Sequence, residues 1–372
     1  MTAGPGDRPR VLHVFSGDLW AGAEVMIYNL LARLHQDGRA GLRAISLNDG
    51  ILVRKLGEAG VSVEVIPESR HSFPEIVRRA AALLGSERID IIHTHRYKEN
   101  LIGFLIASTL RPRRLMTTVH GLPENVAVET GKVKRSLRRS INDRLLRHGF
   151  TQVVAVSEEM KRALTERHRI RREKIRVIYN GIPPGPDPGH DGQAPREGVH
   201  IGTVGRFVPV KDFDLFLRLA AELRDRLPRV RLSILGEGPL RASLQDRARS
   251  LGVQEIVDFP PPRQDPRPFY RSLDLYVNTS LHEGIPLSIL EAMACETVVV
   301  APRVGGIPEI ITHEREGLLP EERSPTSFAE ACLRILGDDS LRHRMARAAR
   351  QRVLERFSDK AMASSYDAAY RG

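Results

Sequence analysis

The sequence predicts an α/β protein built from two doubly wound domains of about equal size. Short apolar runs alternate with amphipathic stretches of helical length along almost the whole chain, which is the pattern of parallel sheets joined by helical crossovers. The 372 residues are enough for two cores of ordinary size. One stretch, residues 183–198, contains five prolines and four glycines and has no apolar period. Because the alternation restarts beyond it, this stretch is the predicted linker.

Short runs rich in Val and Ile predict the strands, since strands covered on both faces are apolar throughout. In the first half these runs are residues 11–16, 43–47, 61–66, 89–95, 115–120 and 152–157. The helices predicted between them cover residues 23–35, 73–84, 99–110, 132–147 and 158–168.

In the second half, strands are predicted at 200–204, 231–235, 275–278 and 297–300, with a helix over 213–227 and helical sequence from 340 to 370. The predicted domains cover residues 1–182 and 199–355. A last helix, 356–372, is expected to pack back toward the first domain. Ligands of doubly wound sheets bind at the carboxyl ends of the strands, so the expected site lies there, in a cleft between the domains.

Composition excludes several classes of protein. The two cysteines, Cys295 and Cys332, match no paired-ligand spacing and suit a reducing compartment. No window approaches 18 consecutive apolar residues, which argues against a membrane span. The apolar run at residues 11–16 is too short for a signal core. We therefore expect a cytoplasmic protein.

The net charge of +11 comes from one segment. Residues 111–176 contain 18 Lys and Arg against 7 Asp and Glu, and the rest of the chain is balanced. Such a patch favours an anionic partner: membrane lipid, a phosphorylated acceptor or nucleic acid. Nucleic acid is disfavoured, because Phe150 is the only aromatic residue of the types Phe, Trp and Tyr in the segment.

Within this segment, the predicted helix 132–147 has an apolar stripe at four-residue spacing, flanked by seven Lys and Arg. The stripe consists of Val133, Leu137, Ile141 and Leu145. Such a helix suits peripheral binding to the anionic inner face of the cell membrane. A solvated helix face is the alternative.

The densest cluster of candidate site residues follows the strand predicted at 275–278. Glu283 and Gly284 fall in the loop, Pro286 suits the first helical position, and Glu291 falls in the second turn. The N–H groups of Gly284, Ile285 and Leu287 would then be available to phosphate or hydroxyl oxygens. The two carboxylates can each hold a different diol. Alternatively, they provide a favourable charge at the helix start and a solvated glutamate.

Two cations and one histidine also lie at predicted strand ends. Arg206 and Lys211 have Asp212 as their only acidic neighbour in sequence, and a departing diphosphate needs such positive charge. His120 ends the strand predicted at 115–120. Alternatively, Arg206 and Lys211 are ordinary surface cations, and His120 is a structural histidine hydrogen-bonded at a strand end.

His93 and His95 alternate on one predicted strand and therefore face the same side. That spacing could ligate a metal, but no third or fourth ligand is spaced to help, so no metal is expected. The loop 17–22 lacks the glycine spacing of dinucleotide-binding proteins, which argues against a nicotinamide cofactor.

These residues occur together in a known family: the chain resembles a family 4 glycosyltransferase of the GT-B fold, whose two Rossmann-like domains face each other across a cleft. The hallmark is a Glu, seven residues and a second Glu, here Glu283 and Glu291. One departure is Glu296, where the family commonly has glycine. The other matching segments are residues 20–24, 119–121, 155–157, 177–182, 205–206 with Lys211, 235–239 and 305–309.

The resemblance implies a retaining hexosyltransferase that uses an NDP-sugar, with UDP-sugars favoured and GDP-mannose next, and needs no metal. The acceptor would be a hydroxyl of a glycan or lipid-linked glycan in cell-surface polysaccharide synthesis. A nucleotide-sugar epimerase of the same fold and a non-catalytic nucleotide-sugar-binding protein are the alternatives. By resemblance, the catalytic residues would be His120, Glu283, Arg206 and Lys211, and the donor would contact Gly22, Arg206, Lys211, Glu283, Gly284, Ile285, Pro286, Leu287, Glu291 and Glu309.

By the same resemblance, the domain over 1–182 would bind the acceptor and the domain over 199–355 the nucleotide sugar. Within the implied donor site, Arg206 and Lys211 would bind the diphosphate. Glu291 would bind the ribose hydroxyls, while Glu283 and His120 would contact the transferred sugar. Glu309 would lie near the sugar or nucleotide.

Overall fold

The computed structural model describes residues 8–18, 20–85, 87–121, 132–187 and 198–372, without the side chains of residues 132–137. The chain divides into two compact units. Unit 1 consists of Met1–Gly181 with Asp359–Gly372, and unit 2 of Ile182–Ser358. Most of the predicted linker, residues 188–197, lies outside the described residues.

Unit 1 contains a seven-stranded sheet in which all neighbours are parallel. Its strands are β1 (Arg10–Phe15), β2 (Gly41–Ser46), β3 (Val63–Val65), β4 (Ile91–Thr94), β5 (Arg114–Val119), β6 (Gln152–Ala155) and β7 (Ile175–Val177). They lie in the order β3-β2-β1-β4-β5-β6-β7. The helices between them are α1 (Gly22–Gln36), α2 (Ile51–Glu58), α3 (Phe73–Leu84), α4 (Tyr97–Leu110), α5 (Lys132–Arg144) and α6 (Glu158–Glu166).

The first half of the chain follows the predicted alternation closely, and α3 has the predicted bounds. The helix predicted over 132–147 is shorter, because α5 ends at Arg144 and one π turn, Leu145–Gly149, follows it. Leu146 and Phe150 are buried in the core of unit 1 at the end of this turn. The sequence did not predict α2 or β7, which are only eight and three residues long.

Unit 2 contains a six-stranded parallel sheet. Its strands are β8 (Val199–Val204), β9 (Val230–Leu235), β10 (Val257–Asp258), β11 (Leu275–Val277), β12 (Val298–Val300) and β13 (Gly317–Leu318), in the order β10-β9-β8-β11-β12-β13. The helices are α7 (Phe213–Arg224), α8 (Arg241–Ser250), α9 (Arg267–Arg271), α10 (Leu287–Ala294), α11 (Ile307–Ile310), α12 (Pro325–Leu336) and α13 (Asp339–Arg356).

In each sheet the strand order reverses beside the first strand of the unit. β1 lies between β2 and β4, and β8 lies between β9 and β11. Such a switch point opens a crevice at the carboxyl ends of the two central strands, where ligands bind in doubly wound sheets. The predicted fold class, two doubly wound Rossmann-like domains, is confirmed.

The last helix, α14 (Asp359–Arg371), belongs to unit 1 although it follows unit 2 in the chain. Asp359 accepts a hydrogen bond from Nε of Arg33 on α1 at 3.0 Å, and Tyr366 and Tyr370 are buried. The sequence therefore returns to its first unit to complete it. Among the described residues, no helix is both long enough and apolar enough to cross a bilayer.

Candidate active site

The loops after β11 and β12 form one tightly packed part of unit 2. Gly305 has φ +55°, and a Cβ there would lie 1.8 Å from the carbonyl oxygen of Glu283, so only glycine fits. The next residue, Gly306, donates its N–H to the carbonyls of Glu283 and Gly284 at 3.1 and 3.0 Å. The Gly305-Gly306 turn thus fixes the backbone that carries Glu283.

The side chain of Glu283 is ion-paired with Lys211. Nζ of Lys211 donates to Oε1 at 2.5 Å, and the same oxygen accepts a hydrogen bond from Oγ of Ser280 at 2.6 Å. The two side chains are mostly buried, with Glu283 12% and Lys211 21% exposed. A carboxylate held through one oxygen in this way is oriented in advance, and no hydrogen bond reaches its Oε2 from the described residues.

The acidic neighbours of the two cations differ from the sequence prediction. Asp212, the expected neighbour, instead accepts a hydrogen bond from Arg323 at 2.5 Å, and Lys211 is paired with Glu283. Sequence proximity did not identify these pairs, because the partner of Asp212 lies 111 positions away and that of Lys211 lies 72 positions away.

Arg206 follows β8 and is exposed. Within the described part of the chain, its guanidinium makes no salt bridge, so it offers an uncompensated positive charge at this sheet edge. Since β8 and β11 are neighbours, Arg206 and Glu283 follow the carboxyl ends of adjacent strands. The switch point of unit 2 therefore carries a free cation and a fixed ion pair.

Glu291 lies on α10, where the hydroxyl of buried Tyr270 donates to its Oε2 at 2.7 Å. Burial raises the pKa of Glu291 to about 7, and the Tyr270 hydrogen bond opposes this shift. Pro286 precedes the helix, since α10 begins at Leu287 and Pro286 has an extended ψ of 115°. The prediction that Pro286 takes the first helical position is wrong by one residue.

We expect sugar-nucleotide affinity to rise with pH if Glu291 binds a diol. A carboxylate accepts hydrogen bonds from two hydroxyls, whereas a carboxylic acid must donate one. With a pKa of about 7, the ionised fraction is roughly a tenth at pH 6 and roughly nine tenths at pH 8. The dissociation constant of UDP-glucose should therefore fall several-fold between these pH values, as calorimetry can measure.

Glu291→Gln is the control for that measurement, since it keeps the shape of the side chain and removes its titration. Its affinity should be low and independent of pH over the same range. A wild-type affinity that stays constant from pH 6 to pH 8 would contradict the assignment. UDP-glucose is the suitable probe because its diphosphate is esterified at both ends.

The remaining predicted donor residues fall into three places. Ile285 and Leu287 are buried beside Gly284 and Pro286, in the loop that leads into α10. Glu309 is partly buried on α11, directly after the Gly305-Gly306 turn. Gly22 is in unit 1 as the first residue of α1, where a Cβ would meet no heavy atom within 4 Å. All except Gly22 therefore belong to unit 2.

In unit 1, an ion pair that the sequence did not reveal lies beside the start of α1. Arg96 follows β4 and forms an ion pair with Glu24, which is fully buried. Glu24 also accepts a hydrogen bond from the backbone N–H of Ala21 at 3.2 Å. Burial raises the pKa of Glu24, and Arg96 opposes the shift. Arg96 directly follows His95, so its position at a strand end was a usable signal.

The histidines of unit 1 form a buried cluster. His13 on β1 pairs in register with His93 on β4, and ring nitrogens of His13, His93 and His95 lie within 4.8 Å of one another. Nε2 of His120 lies 3.3 Å from Nδ1 of His95. The prediction that no third ligand accompanies His93 and His95 is therefore wrong, because sheet register brings in a residue 80 positions away.

These histidines stay neutral. Burial lowers the pKa of His13 and of His120 to about 3, and lowers the pKa of His93 and His95 well below its usual range. Neutral imidazoles are the form that ligates metals. Every ring nitrogen of His13, His93 and His95 is, however, within hydrogen-bond distance of a protein group. The cluster is thus a set of saturated hydrogen-bonding groups.

Two family profiles match the chain in succession. "Glycosyltransferase Family 4" matches residues 20–185, and "Glycosyl transferases group 1" matches residues 191–352. Each therefore covers most of one structural unit.

Curated relatives agree with these matches. The D-inositol 3-phosphate glycosyltransferase of Kineococcus radiotolerans is 30% identical over 82% of this chain and 77% of its own length. That of Nocardia farcinica is 31% identical over 80% of this chain and 71% of its own.

Solved structures show the same fold. Anabaena HepE, determined with UDP-glucose, is 19% identical with a TM-score of 0.82 over 97% of this chain and 98% of its own. A glycosyltransferase from Rickettsia africae is 20% identical with a TM-score of 0.80 over 98% of each chain. The fold is therefore that of the GT-B enzymes, and the chain belongs to glycosyltransferase family 4.

Proposed function

We propose that this enzyme moves a hexosyl group from a UDP-sugar to an acceptor hydroxyl with retention of configuration, and that GDP-mannose is the next candidate donor. The observation that carries the proposal is the edge of unit 2. There, Lys211 and Ser280 orient Glu283, Arg206 is an unpaired cation, and Glu291 is held by Tyr270. Structures of similar fold include Anabaena HepE with UDP-glucose, which supports a UDP-sugar.

Each group in this arrangement has a role in such a transfer. Glu291 accepts hydrogen bonds from the ribose hydroxyls, and Glu283 accepts them from the hydroxyls of the sugar. When the bond from the anomeric carbon to the diphosphate breaks, Arg206 and Lys211 stabilise the charge on the departing oxygen. The acceptor oxygen bonds to the anomeric carbon on the same face, and its proton passes to the departing phosphate. Arg206 and Lys211 supply two positive charges to the departing diphosphate, so the proposed transfer needs no metal ion.

The acceptor would bind to unit 1, in a glycan or lipid-linked glycan of cell-surface polysaccharide synthesis. Relatives named D-inositol 3-phosphate glycosyltransferase extend the candidates to phosphorylated polyols, which suit the positive charge of residues 111–176. We also expect residues 122–131 to contribute to the acceptor surface, but they lie outside the described residues.

A panel of sugar nucleotides tests the proposal. The purified enzyme is incubated with UDP-glucose, UDP-galactose, UDP-N-acetylglucosamine and GDP-mannose, each with D-inositol 3-phosphate or a lipid-linked sugar. We expect nucleoside diphosphate release that depends on one donor and on an acceptor, and a product that keeps the anomeric configuration by NMR. An epimerised donor, an inverted product, or binding without nucleotide release would refute the proposed reaction.

We also propose that the basic segment holds the enzyme on the anionic inner face of the cell membrane. On α5, Arg138, Arg139 and Arg144 are exposed, and Ile141 is 38% exposed. The exposed cations beside an exposed apolar side chain support this proposal. Val133 and Leu137, the other part of the predicted stripe, have side chains outside the described set, and Leu145 is partly buried.

Cosedimentation with vesicles measures this association. The protein should bind vesicles rich in phosphatidylglycerol, because each cation near an anionic surface contributes roughly 1 kcal/mol to binding. Binding should weaken as the salt concentration rises, because salt screens this attraction. Replacing Arg138, Arg139 and Arg144 with glutamate should abolish binding. The matched control makes the same charge change at Arg229, Arg263 and Arg347, which are exposed on unit 2 and form no salt bridge among the described residues. Equal losses in both triple variants, or no binding by the wild type, would reject the membrane proposal.

A further inference from the structure

A continuous chain of hydrogen-bonding side chains runs through unit 1 from α14 to His120. It connects four histidines, two tyrosines and one threonine, all from β1, β4, β5, α14 and the residues directly after β4 and β5. The six contacts are Tyr366 Oη to Thr118 Oγ1 (2.8 Å), Thr118 Oγ1 to His93 Nε2 (2.8 Å), His93 Nδ1 to Tyr370 Oη (2.8 Å), Tyr370 Oη to His13 Nε2 (3.4 Å), His13 Nδ1 to His95 Nε2 (3.1 Å) and His95 Nδ1 to His120 Nε2 (3.3 Å).

The ring geometry supports hydrogen bonds between the histidines. The ring centres of His13 and His95 lie 5.4 Å apart while their facing nitrogens lie 3.1 Å apart. For His95 and His120 these separations are 5.5 and 3.3 Å, and the ring planes of the two pairs are only 17° and 27° from parallel. The nitrogens therefore lie between the rings, as a bond along the lone-pair direction requires.

Counting hydrogens gives the chain a direction. Each of the seven groups is neutral and has one hydrogen to donate, while the chain has six bonds. A neutral imidazole carries its hydrogen on one nitrogen and accepts at the other. One hydrogen is therefore left over, and it lies either at an end of the chain or on an interior hydroxyl that accepts from both sides.

Only one arrangement leaves every buried hydroxyl hydrogen with an acceptor. If Tyr366, Thr118 or Tyr370 held the extra hydrogen, it would have no acceptor, since these hydroxyls have no further partners among the described residues. In each of these cases His120 carries its hydrogen on Nε2, so its buried Nδ1 is unpaired as well, and each unpaired polar group costs about 1–3 kcal/mol. If all seven groups donate toward His120, the extra hydrogen lies on Nδ1 of His120. That nitrogen is buried and has no partner among the described residues, so this arrangement leaves one polar group unpaired where each alternative leaves two.

We propose that this chain fixes His120 as the tautomer with hydrogen on Nδ1, so that it presents an N–H donor to an oxygen of the bound substrate. In the same arrangement, His13, His93 and His95 also carry their hydrogen on Nδ1. Tyr370 is a positioning residue, because it supplies the hydroxyl hydrogen that occupies Nε2 of His13. The identity of the substrate rests on the proposed function, while the tautomer itself does not.

Ring nitrogens that carry hydrogen differ strongly in ¹⁵N chemical shift from those that do not. Long-range ¹H–¹⁵N spectra of the full-length protein labelled at histidine, with His120→Gln for assignment, therefore read the tautomer directly. We expect His120 to carry hydrogen on Nδ1. Hydrogen on Nε2 of His120 in the wild type would overturn the inference, and this measurement requires no other variant.

Two tyrosine variants one helical turn apart provide a matched comparison. Tyr370→Phe interrupts the chain, so the Nδ1–H population of His120 should fall. Tyr366→Phe removes the same hydroxyl at the far end, where Thr118 still donates to His93, so the tautomer of His120 should be retained. Equal tautomer populations of His120 in Tyr370→Phe and the wild type would also overturn the inference.

Kinetics separate positioning from general destabilisation. In Tyr370→Phe we expect kcat/KM for the sugar nucleotide to fall roughly 3- to 10-fold, the effect of one lost neutral hydrogen bond. The affinity for the nucleoside diphosphate alone should be unchanged, as should kcat/KM in the control Tyr28→Phe. If kcat/KM for the sugar nucleotide and the affinity for the nucleoside diphosphate fell by the same factor, a contact from His120 to the sugar would be refuted. Expected tautomers without sugar transfer from any donor would refute the proposed function alone.

Discussion

Arg206→Ala is expected to lower the rate of sugar transfer about 100- to 1,000-fold. A preorganised group aimed at a developing negative charge contributes this much to catalysis. Arg206 is exposed and has no salt-bridge partner among the described residues, so its charge is available to the diphosphate and its removal breaks no ion pair there. The midpoint of thermal unfolding should stay close to that of the wild type, since surface changes of this kind alter stability by about 0.5 kcal/mol or less.

Arg249→Ala is the matched control, because Arg249 is an exposed arginine on α8 of the same unit. Single-turnover release of nucleoside diphosphate should be slow in Arg206→Ala and normal in Arg249→Ala. Arg206→Lys should recover part of the rate, since a single positive charge remains but the planar fork is lost. A normal rate in Arg206→Ala would remove this residue from the catalytic set.

Glu283→Ala is expected to reduce both activity and stability. The variant loses the carboxylate that would bind the sugar hydroxyls, and it leaves Lys211 without the ion-pair partner at 2.5 Å. Unpaired buried charges are costly, and because both side chains retain some exposure we expect a loss of about 1–3 kcal/mol in the free energy of unfolding. Activity should fall about 100-fold or more. Urea unfolding and nucleotide release measure the two effects separately.

The double variant Lys211→Met with Glu283→Gln distinguishes the two roles of this pair. Neither charge remains, so part of the lost stability should return, while the activity should stay low. If activity returned together with stability, the pair would be structural and the catalytic assignment of Glu283 would be refuted. The free energies of unfolding of the wild type, Lys211→Met, Glu283→Gln and the double variant form a double-mutant cycle. The non-additive part of these four values is the coupling energy of the ion pair.

Local periodicity predicted most of the fold. The strands β1, β4 and β8 are short apolar runs bounded by polar residues, and this signal needs no tertiary information. The elements missed, such as α2 and β7, are short and depend on the sheet they pack against. The end of α5 could not be predicted either, because burial of Leu146 and Phe150, rather than helix propensity, decides where the regular helix ends.

Candidate site residues were predictable where they follow strands, because the carboxyl ends of neighbouring parallel strands meet at one edge. Arg206 and Glu283 were found in this way. The partners of such residues were not predictable. Lys211 and Glu283 are 72 positions apart in sequence, as are Arg96 and Glu24, and the tertiary fold decides which of these distant residues meet. Glu296 shows the same limit: it has φ +58° where the family commonly has glycine. The sequence revealed the departure but not the backbone conformation.

The place of α14 in unit 1 has a consequence for the order of events during synthesis. Unit 2 is inserted between β7 and α14, so Tyr366 and Tyr370 leave the ribosome only after all of unit 2. Until then, the buried histidines of β1 and β4 lack the hydroxyl groups they contact in the finished protein. Unit 2 can complete its own core while the first half of the chain waits. Most of unit 1 is therefore translated before unit 2 but reaches its final structure only after it.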